Sequence, residues 1–422
     1  AGTMSLANAS PATIYAGELP VVSARTRFTS PDLARAALQE LRVELPGGGT
    51  LGGAGEIDAQ RMRAAVEVRG VDPKSIHSAL RHMALQGRLD IALARDEQSV
   101  RGTLSQEGMR LEGSAVRHGA AIDVQARLAL ERVNPAAFGP YPEGSIHGSV
   151  EAEGTLGEVT ALDARWTLEN STLLGQPFAS RGRARFSGAR VTRAQAELKL
   201  GPSRASVRGD FGRAGDRLAW TLAIAQLRDL APDIAGRLQA SGTLEGAWQD
   251  PELRASAQVQ ALQLPGDDTL RTAKATLAGK LARHEAQLSV SAPDTHIEAR
   301  LAGGWHAERA WRGEVRSLTN AGLYPLRLAA PATLAISRGR VALGPLEARL
   351  EPGRLTLREL AWEGGRLRTS GEFGGLPARW PRGRRSRVRR RLGGDRGAGF
   401  GRLSGVLFER RRDRRPGAGL GD

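Results

Sequence analysis

Cysteine is absent from the 422-residue chain, which excludes a disulfide framework and every Cys-based metal site. Aromatic residues make up only 4%, although Phe, Tyr and Trp normally dominate the energetics of a thick core. The length would allow two or three compact domains, but so few large core residues argue against them. No run of about 18 apolar residues occurs, so nothing reads as a bilayer-spanning helix. The stretch Ala1-Gly2-Thr3-Met4 shows no basic region followed by an apolar one, and an export signal or anchor is expected to lie outside this sequence. Lysine is nearly missing too: Lys74, Lys199, Lys274 and Lys280 are the four.

Catalytic signatures are equally scarce. The seven histidines are scattered, with no His-x-x-x-His or His-Glu-x-x-His spacing, and His77 and His82 stand too far apart for one helical face. Surface or loop roles are expected for them, since a metal site needs converging ligands. Gly47-Gly48-Gly49-Thr50 lacks the Gly-Lys-Ser/Thr ending of a phosphate loop, and no Gly-x-Ser-x-Gly elbow occurs. Asp90, Asp123 and Glu151 fall at polar-face positions of strands, where charges are ordinarily solvated. No enzyme is expected, and no cofactor.

Glycine and alternation are what the chain has. There are 53 glycines, well above the roughly 7% of average usage, and they bound short strands. Leu218, Trp220, Leu222 and Ile224 alternate with smaller or polar residues, the period of a strand. Gly236–Leu244 resumes the pattern, and Leu253, Ala255, Ala257, Val259 and Ala261 repeat it. Similar strands fall at Leu89–Leu93, Ile122–Leu130, Ser145–Glu153, Ala194–Leu200 and Thr333–Ile336. The X-Pro steps Asp72-Pro73 and Asn134-Pro135 open two modules, and Leu227–Pro232 opens a third. The repeat is loose in length.

This pattern predicts a mostly β fold: an elongated, repetitive antiparallel sheet curled into a groove, with short helical turns near 32–41 and 73–83. The expected segments are 1–60, 61–132, 133–226, 227–317 and 318–378. Residues 379–422 stand apart. They hold 15 Arg against 4 acidic residues, a balance of +11 that leaves +5 of the net +16 for the rest. This block has no apolar face to bury, and disorder is expected. A shifted reading frame, a solvated tail or an anion-binding segment would each give it.

The one-sided strands carry the functional expectation. Leu89, Ile91, Leu93, Ile122, Val124, Leu128, Leu218, Trp220, Leu222, Ile224, Leu253 and Val259 are the candidate apolar lining. A six-residue strand spans about 20 Å, comparable with the roughly 15 Å depth of one leaflet, so such a face can shelter an acyl chain. The same residues would equally make a filled core, as in a secreted adhesin-like repeat protein. A third reading gives function to the basic tail, through nucleic acid, with steep salt dependence.

Several stretches resemble one known family. Leu318-Thr319-Asn320-Ala321-Gly322-Leu323-Tyr324-Pro325-Leu326-Arg327-Leu328, then Leu360-Ala361-Trp362-Glu363-Gly364-Gly365-Arg366-Leu367 and Ser370-Gly371-Glu372-Phe373, are similar to the central region of the TamB family. These are the translocation and assembly module subunits among the AsmA-like bridge proteins of Gram-negative bacteria. The X-Pro steps, Pro142–Leu156 and Gly236–Gly246 resemble its repeats as well, and the likeness covers roughly residues 40–378. It implies a periplasmic β-groove that moves phospholipid between inner and outer membranes and supports outer-membrane protein assembly. The partners it implies are phospholipid acyl chains, the inner membrane through an N-terminal anchor, and an outer-membrane barrel assembly factor through a C-terminal region. Neither terminal region is in this sequence, which is expected to be a central fragment. Nucleic acid is not among the partners.

Overall fold

The computed structural model describes residues 1–375 and 400–406, apart from 13–18, 32–33, 77–81, 159, 230–233, 264–268, 307–309, 323–324, 352 and 365. The chain divides into two units, Ala1–Trp220 and Thr221–Asp422. Strand dominates both.

In the first unit the chain runs through β1 (Gly2–Ala7), β2 (Ser23–Thr29), β3 (Arg35–Glu44), β4 (Thr50–Asp58) and β5 (Arg61–Val71). After a single helical turn, α1 (Pro73–Ile76), come β6 (Leu85–Ala94), β7 (Glu97–Gln106), β8 (Met109–His118) and β9 (Ala121–Val133). A 3-10 turn at Pro135–Phe138 leads to β10 (Gly144–Leu156), β11 (Ala161–Leu173), β12 (Gln176–Ser187), β13 (Arg190–Leu200) and β14 (Ser203–Phe211). Each strand from β1 to β14 lies antiparallel to the next in sequence. The unit boundary falls within β15 (Arg217–Ile224).

The second unit continues with β16 (Ala235–Glu245), β17 (Glu252–Gln263), β18 (Thr269–Lys280), β19 (Arg283–Ala292), β20 (Thr295–His306) and β21 (Ala310–Gly322), again an antiparallel succession. Next, β22 (Leu326–Leu328) and β23 (Ala332–Ser337) both pair with β21, as two halves of one interrupted strand. β24 (Arg340–Leu343) and β25 (Leu346–Leu350) do the same against β26 (Gly353–Glu363). The interruptions hold Pro331 and Pro345, which have no N–H to give a ladder. They lie side by side, since β22 pairs with β25 and β23 with β24. β27 (Arg366–Gly374) and β28 (Phe400–Val406) complete the series.

The expected mostly β, repetitive antiparallel fold is therefore present, with one correction. The helical turn expected at 32–41 is strand from Arg35 onward. Glu40 is left-handed, with φ 53°, and forms a bulge at which Leu38 faces Gly55 and Leu41 faces Gly53. The extra residue keeps Leu38 and Leu41 on one face although they are three apart, which imitates helical spacing. The turn expected at 73–83 is helical over Pro73–Ile76, and 77–81 lies outside the described residues. Of the Arg-rich block 379–422, Phe400–Val406 pairs with β27 as β28, and the rest lies outside the described residues.

The two X-Pro steps share one design. Asp72 Oδ1 accepts the backbone N–H groups of Lys74 (3.1 Å) and Met83 (3.2 Å). Asn134 Oδ1 accepts those of Ala136 (3.2 Å) and Gly144 (3.2 Å). One side-chain oxygen thus caps the turn and also ties down the start of the returning chain.

Asp216 works similarly at the turn before β15. Its carboxylate takes two bonds from Arg190, at 2.9 and 2.6 Å, and one from the Arg213 N–H at 3.0 Å. The Arg190 bonds hold its carboxyl below the ordinary 3.8; partial burial opposes them and the Arg213 N–H assists. A depressed folded value means that the contribution to stability is complete above the unfolded pKa and is lost as pH falls through the folded one. Asp216→Asn is expected to lower the melting temperature at neutral pH, with the gap from wild type closing below pH 3.8. Thermal melts of both proteins across that range check it; a gap independent of pH would contradict this account.

Candidate functional site

Pairing register decides which side chains share a face of a sheet. In the first unit it gathers the apolar residues on one side. Leu104, Leu111, Leu128, Val150 and Trp166 oppose one another across β7 to β11. Two residues along each strand, on the same face, Gly102, Gly113, Ala126, Ala152 and Ala164 form a row of small residues that continues to Ala184. Beyond it lie Ile91, Val100, Val124, Leu162 and Phe186.

The six candidates on β6 and β9 fall on that face. Leu89 opposes Gly102 and Ile91 opposes Val100. Val124 and Leu128 stand in the two large rows, and Leu93 and Ile122 are joined through Gln98 and Arg117. Leu89 also packs against the small cluster of Leu45, Val68 and Val71. Val100, Leu104, Leu111, Val150, Trp166, Leu162 and Phe186 complete the face and were not singled out by the sequence. Their signal was alternation alone, which does not say which strands meet.

In β15, Leu218, Trp220 and Leu222 are half-buried, while Ile224 is buried. In the second unit Leu253 opposes Leu244 and Val259 opposes Leu238, with Ala255 and Ala257 between them on the same face. The Val259 row continues through Ala273, Val290 and Ile297.

The apolar face of the first unit is left open. Leu93, Val100, Leu111 and Phe186 are 37–39% exposed, and no large side chain among the described residues falls below 2%. The substantial contacts of each strand are with its sheet neighbours, so the described residues provide no second layer. A methyl group on Gly102, Gly148 or Gly154 would meet a carbonyl oxygen of the adjoining strand, so glycine is what permits the close approach of the strands there.

Two indole rings, one in each unit, lie against glycines of the sheet. Trp166 covers Gly182, its cross-strand partner, and donates Nε1–H to Ser180 Oγ at 3.0 Å. Trp311 lies against Gly303 and Gly313 and donates Nε1–H to His284 Nε2 at 2.8 Å. Because indole only donates, His284 Nε2 is the acceptor, and its Nδ1–H is left for the Lys280 carbonyl at 3.1 Å. His284 is 5% exposed, which corrects the surface or loop role expected of it.

The opposite face is charged and largely self-paired, with contacts such as Arg127–Glu151 at 3.7 Å, Arg110–Glu112 at 3.0 Å and Arg181–Glu197 at 2.7 Å. Exposed pairs of this kind stabilise little but keep that side wet.

Fold and face together define a repetitive, one-sided β-sheet protein with an uncovered apolar surface. Residues 49–282 match the TamB N-terminal domain, over half of the chain. The chain belongs to the TamB family, a family of the cell envelope, as the resemblance implied. Comparison with curated proteins gives no match.

Proposed function

We propose that this protein carries phospholipid acyl chains on the apolar faces of its sheets, between the inner and outer membranes of a Gram-negative envelope. The observation that carries the reading is the uncovered apolar face of the first unit, where large side chains remain more than a third exposed beside a low row of Gly and Ala. Open apolar surface of this kind serves binding. The protein works in the periplasm without catalysis. It is held to the inner membrane by an anchor and supports outer-membrane protein assembly with a barrel partner, roles that rest on family membership alone.

The test is lipid recovery by native mass spectrometry and extraction, on the whole chain purified from a bacterial periplasm. Phospholipid is expected to co-purify. Ile91→Arg and Leu222→Arg each place a charge on an apolar face, where Arg against lipid costs about 2–4 kcal/mol, so at least roughly tenfold less lipid is expected. A folded wild type that emerges free of lipid would favour a closed structural repeat. Equal recovery from both variants would place the lipid elsewhere.

A further inference from the structure

On the charged face of the first unit, one cross-strand row from β11 to β14 sets arginines against one another or against glutamine, although Arg181 and Arg185 beside it keep their carboxylate partners. Arg165 and Arg183 stand directly opposite each other, an arrangement of like charges that destabilises a sheet. Arg183 faces Gln195, and Gln195 faces Arg208, so from β11 to β14 the row holds three guanidinium groups and no carboxylate; the next position, Glu151 on β10, faces Arg165 but is engaged by Arg127 at 3.7 Å. Arg183 donates to Gln195 Oε1 at 3.2 Å. Among the described residues, the guanidinium groups of Arg165, Arg193 and Arg208 have no carboxylate partner.

Arg193 arrives by a different route. The β13–β14 register shifts between Val191 and Ala194, and Arg193 sits in the bulge with φ 51°, a left-handed backbone that a non-glycine residue adopts only under strain. Its N–H is held by Asp210 Oδ1 at 2.7 Å. The bulge brings one more guanidinium to a cavity of about 550 Å³, lined also by Arg165, Arg183, Arg185 and Arg208. The single carboxylate in that lining, Asp163, is already engaged by Arg185 at 3.1 Å.

We propose that this cavity is a recognition site for phosphate groups, formed by Arg165, Arg183, Arg193 and Arg208. Guanidinium is planar, permanently charged and forked to match two oxygens of a phosphate. A bound phosphate relieves both the Arg165–Arg183 repulsion and the unanswered charges beside it. The same chemistry is offered by a soluble phosphate ester and by the headgroup of an anionic phospholipid. The site lies on the face opposite the apolar one, so it stands or falls independently of acyl-chain binding.

The experiment uses the whole chain and two probes: inorganic phosphate, followed by calorimetry and thermal melting, and vesicles of phosphatidylcholine with or without phosphatidylglycerol, followed by flotation. The variant is Arg165→Gln/Arg183→Gln/Arg208→Gln. The control is Arg110→Gln, which removes a paired arginine from the same face. Wild type and control are expected to bind at least one probe, with the triple variant weakened tenfold or more. Without phosphate the triple variant is expected to melt no lower than wild type, since it removes a repulsion. Response to phosphate alone identifies a soluble ester as the ligand; response only to phosphatidylglycerol vesicles identifies a headgroup in a bilayer. Binding of neither probe by wild type overturns the proposal, as does full binding by the triple variant or an equal loss in the control.

Discussion

Ala348→Asp is expected to remove the ordered structure of β22 to β26 while leaving β5 to β12 folded. Ala348 is 0% exposed and Ala332 1%. With Leu346 they form a cluster closed by Leu326, Leu328, Leu343, Leu355 and Leu357. It covers the place where Pro331 and Pro345 break two adjacent strands and backbone bonding is thinnest. Among the described residues, two backbone bonds outside the strand ladders bridge the gap there, Ala329 N–H to the Glu347 carbonyl at 2.7 Å and Gly344 N–H to the Thr333 carbonyl at 2.8 Å. Packing therefore substitutes for the missing ladder. A carboxylate at Ala348 would sit among leucines with no cation, at an effective cost of several kcal/mol, against a total of about 5–15 kcal/mol for an ordinary domain. Hydrogen exchange followed peptide by peptide checks this. Lost protection across Leu326–Glu363 with retained protection in Arg61–Ser187 is the expected pattern, and unchanged exchange in both would show that the cluster does not hold the interrupted strands.

Trp311→Ala is expected to destabilise the second unit by about 3–5 kcal/mol, the usual cost of removing a buried Trp side chain. Trp311 is 6% exposed, and its ring fills the space that Gly303 and Gly313 leave empty. Its loss also strands the ring nitrogen of His284, which accepts the indole N–H. Trp311→Phe keeps much of the apolar area but not the donor, and is expected to cost about 1–3 kcal/mol for the unsatisfied acceptor in addition to lost contacts. Denaturant unfolding should rank wild type above Phe and Phe above Ala. An Ala variant as stable as wild type would mean that the ring is not part of the packed structure.

The alternation that marked strands in the sequence is a local property, and it survived into the structure because a pleated strand places alternate residues on opposite faces. That is why Leu89, Ile91 and Leu93 could be read as one face from their spacing. Pairing is not local. Nothing in Gly113 or Ala152 by itself says that they share a row with Ala126; that follows from hairpin lengths and bulges, which shift register by one residue at a time. The helical turn expected near 32–41 is strand from Arg35 onward for a similarly non-local reason: β3 is held by its pairing with β2 and β4, with a bulge at Glu40 that changes its phase. The arginine site was illegible for a related one: Arg165, Arg183 and Arg208 look like ordinary outward charges until the register sets Arg165 against Arg183, and both Arg183 and Arg208 against Gln195. His284 was misread because its partner, Trp311, comes from two strands further on.

Within each unit the pairings join strands that are neighbours in sequence, or neighbours once the two proline interruptions are allowed for. Such a chain needs no distant segment to begin folding. Each strand, once made, leaves a free edge on which the next can form, so the loop-closure cost of each step stays small. Order can then propagate in the direction in which the polypeptide becomes available, as in other nearest-neighbour architectures. A chain delivered unfolded and end-first into a compartment is thereby spared a long wait with its apolar residues exposed, and adding or deleting a hairpin would alter its length without redesigning the rest.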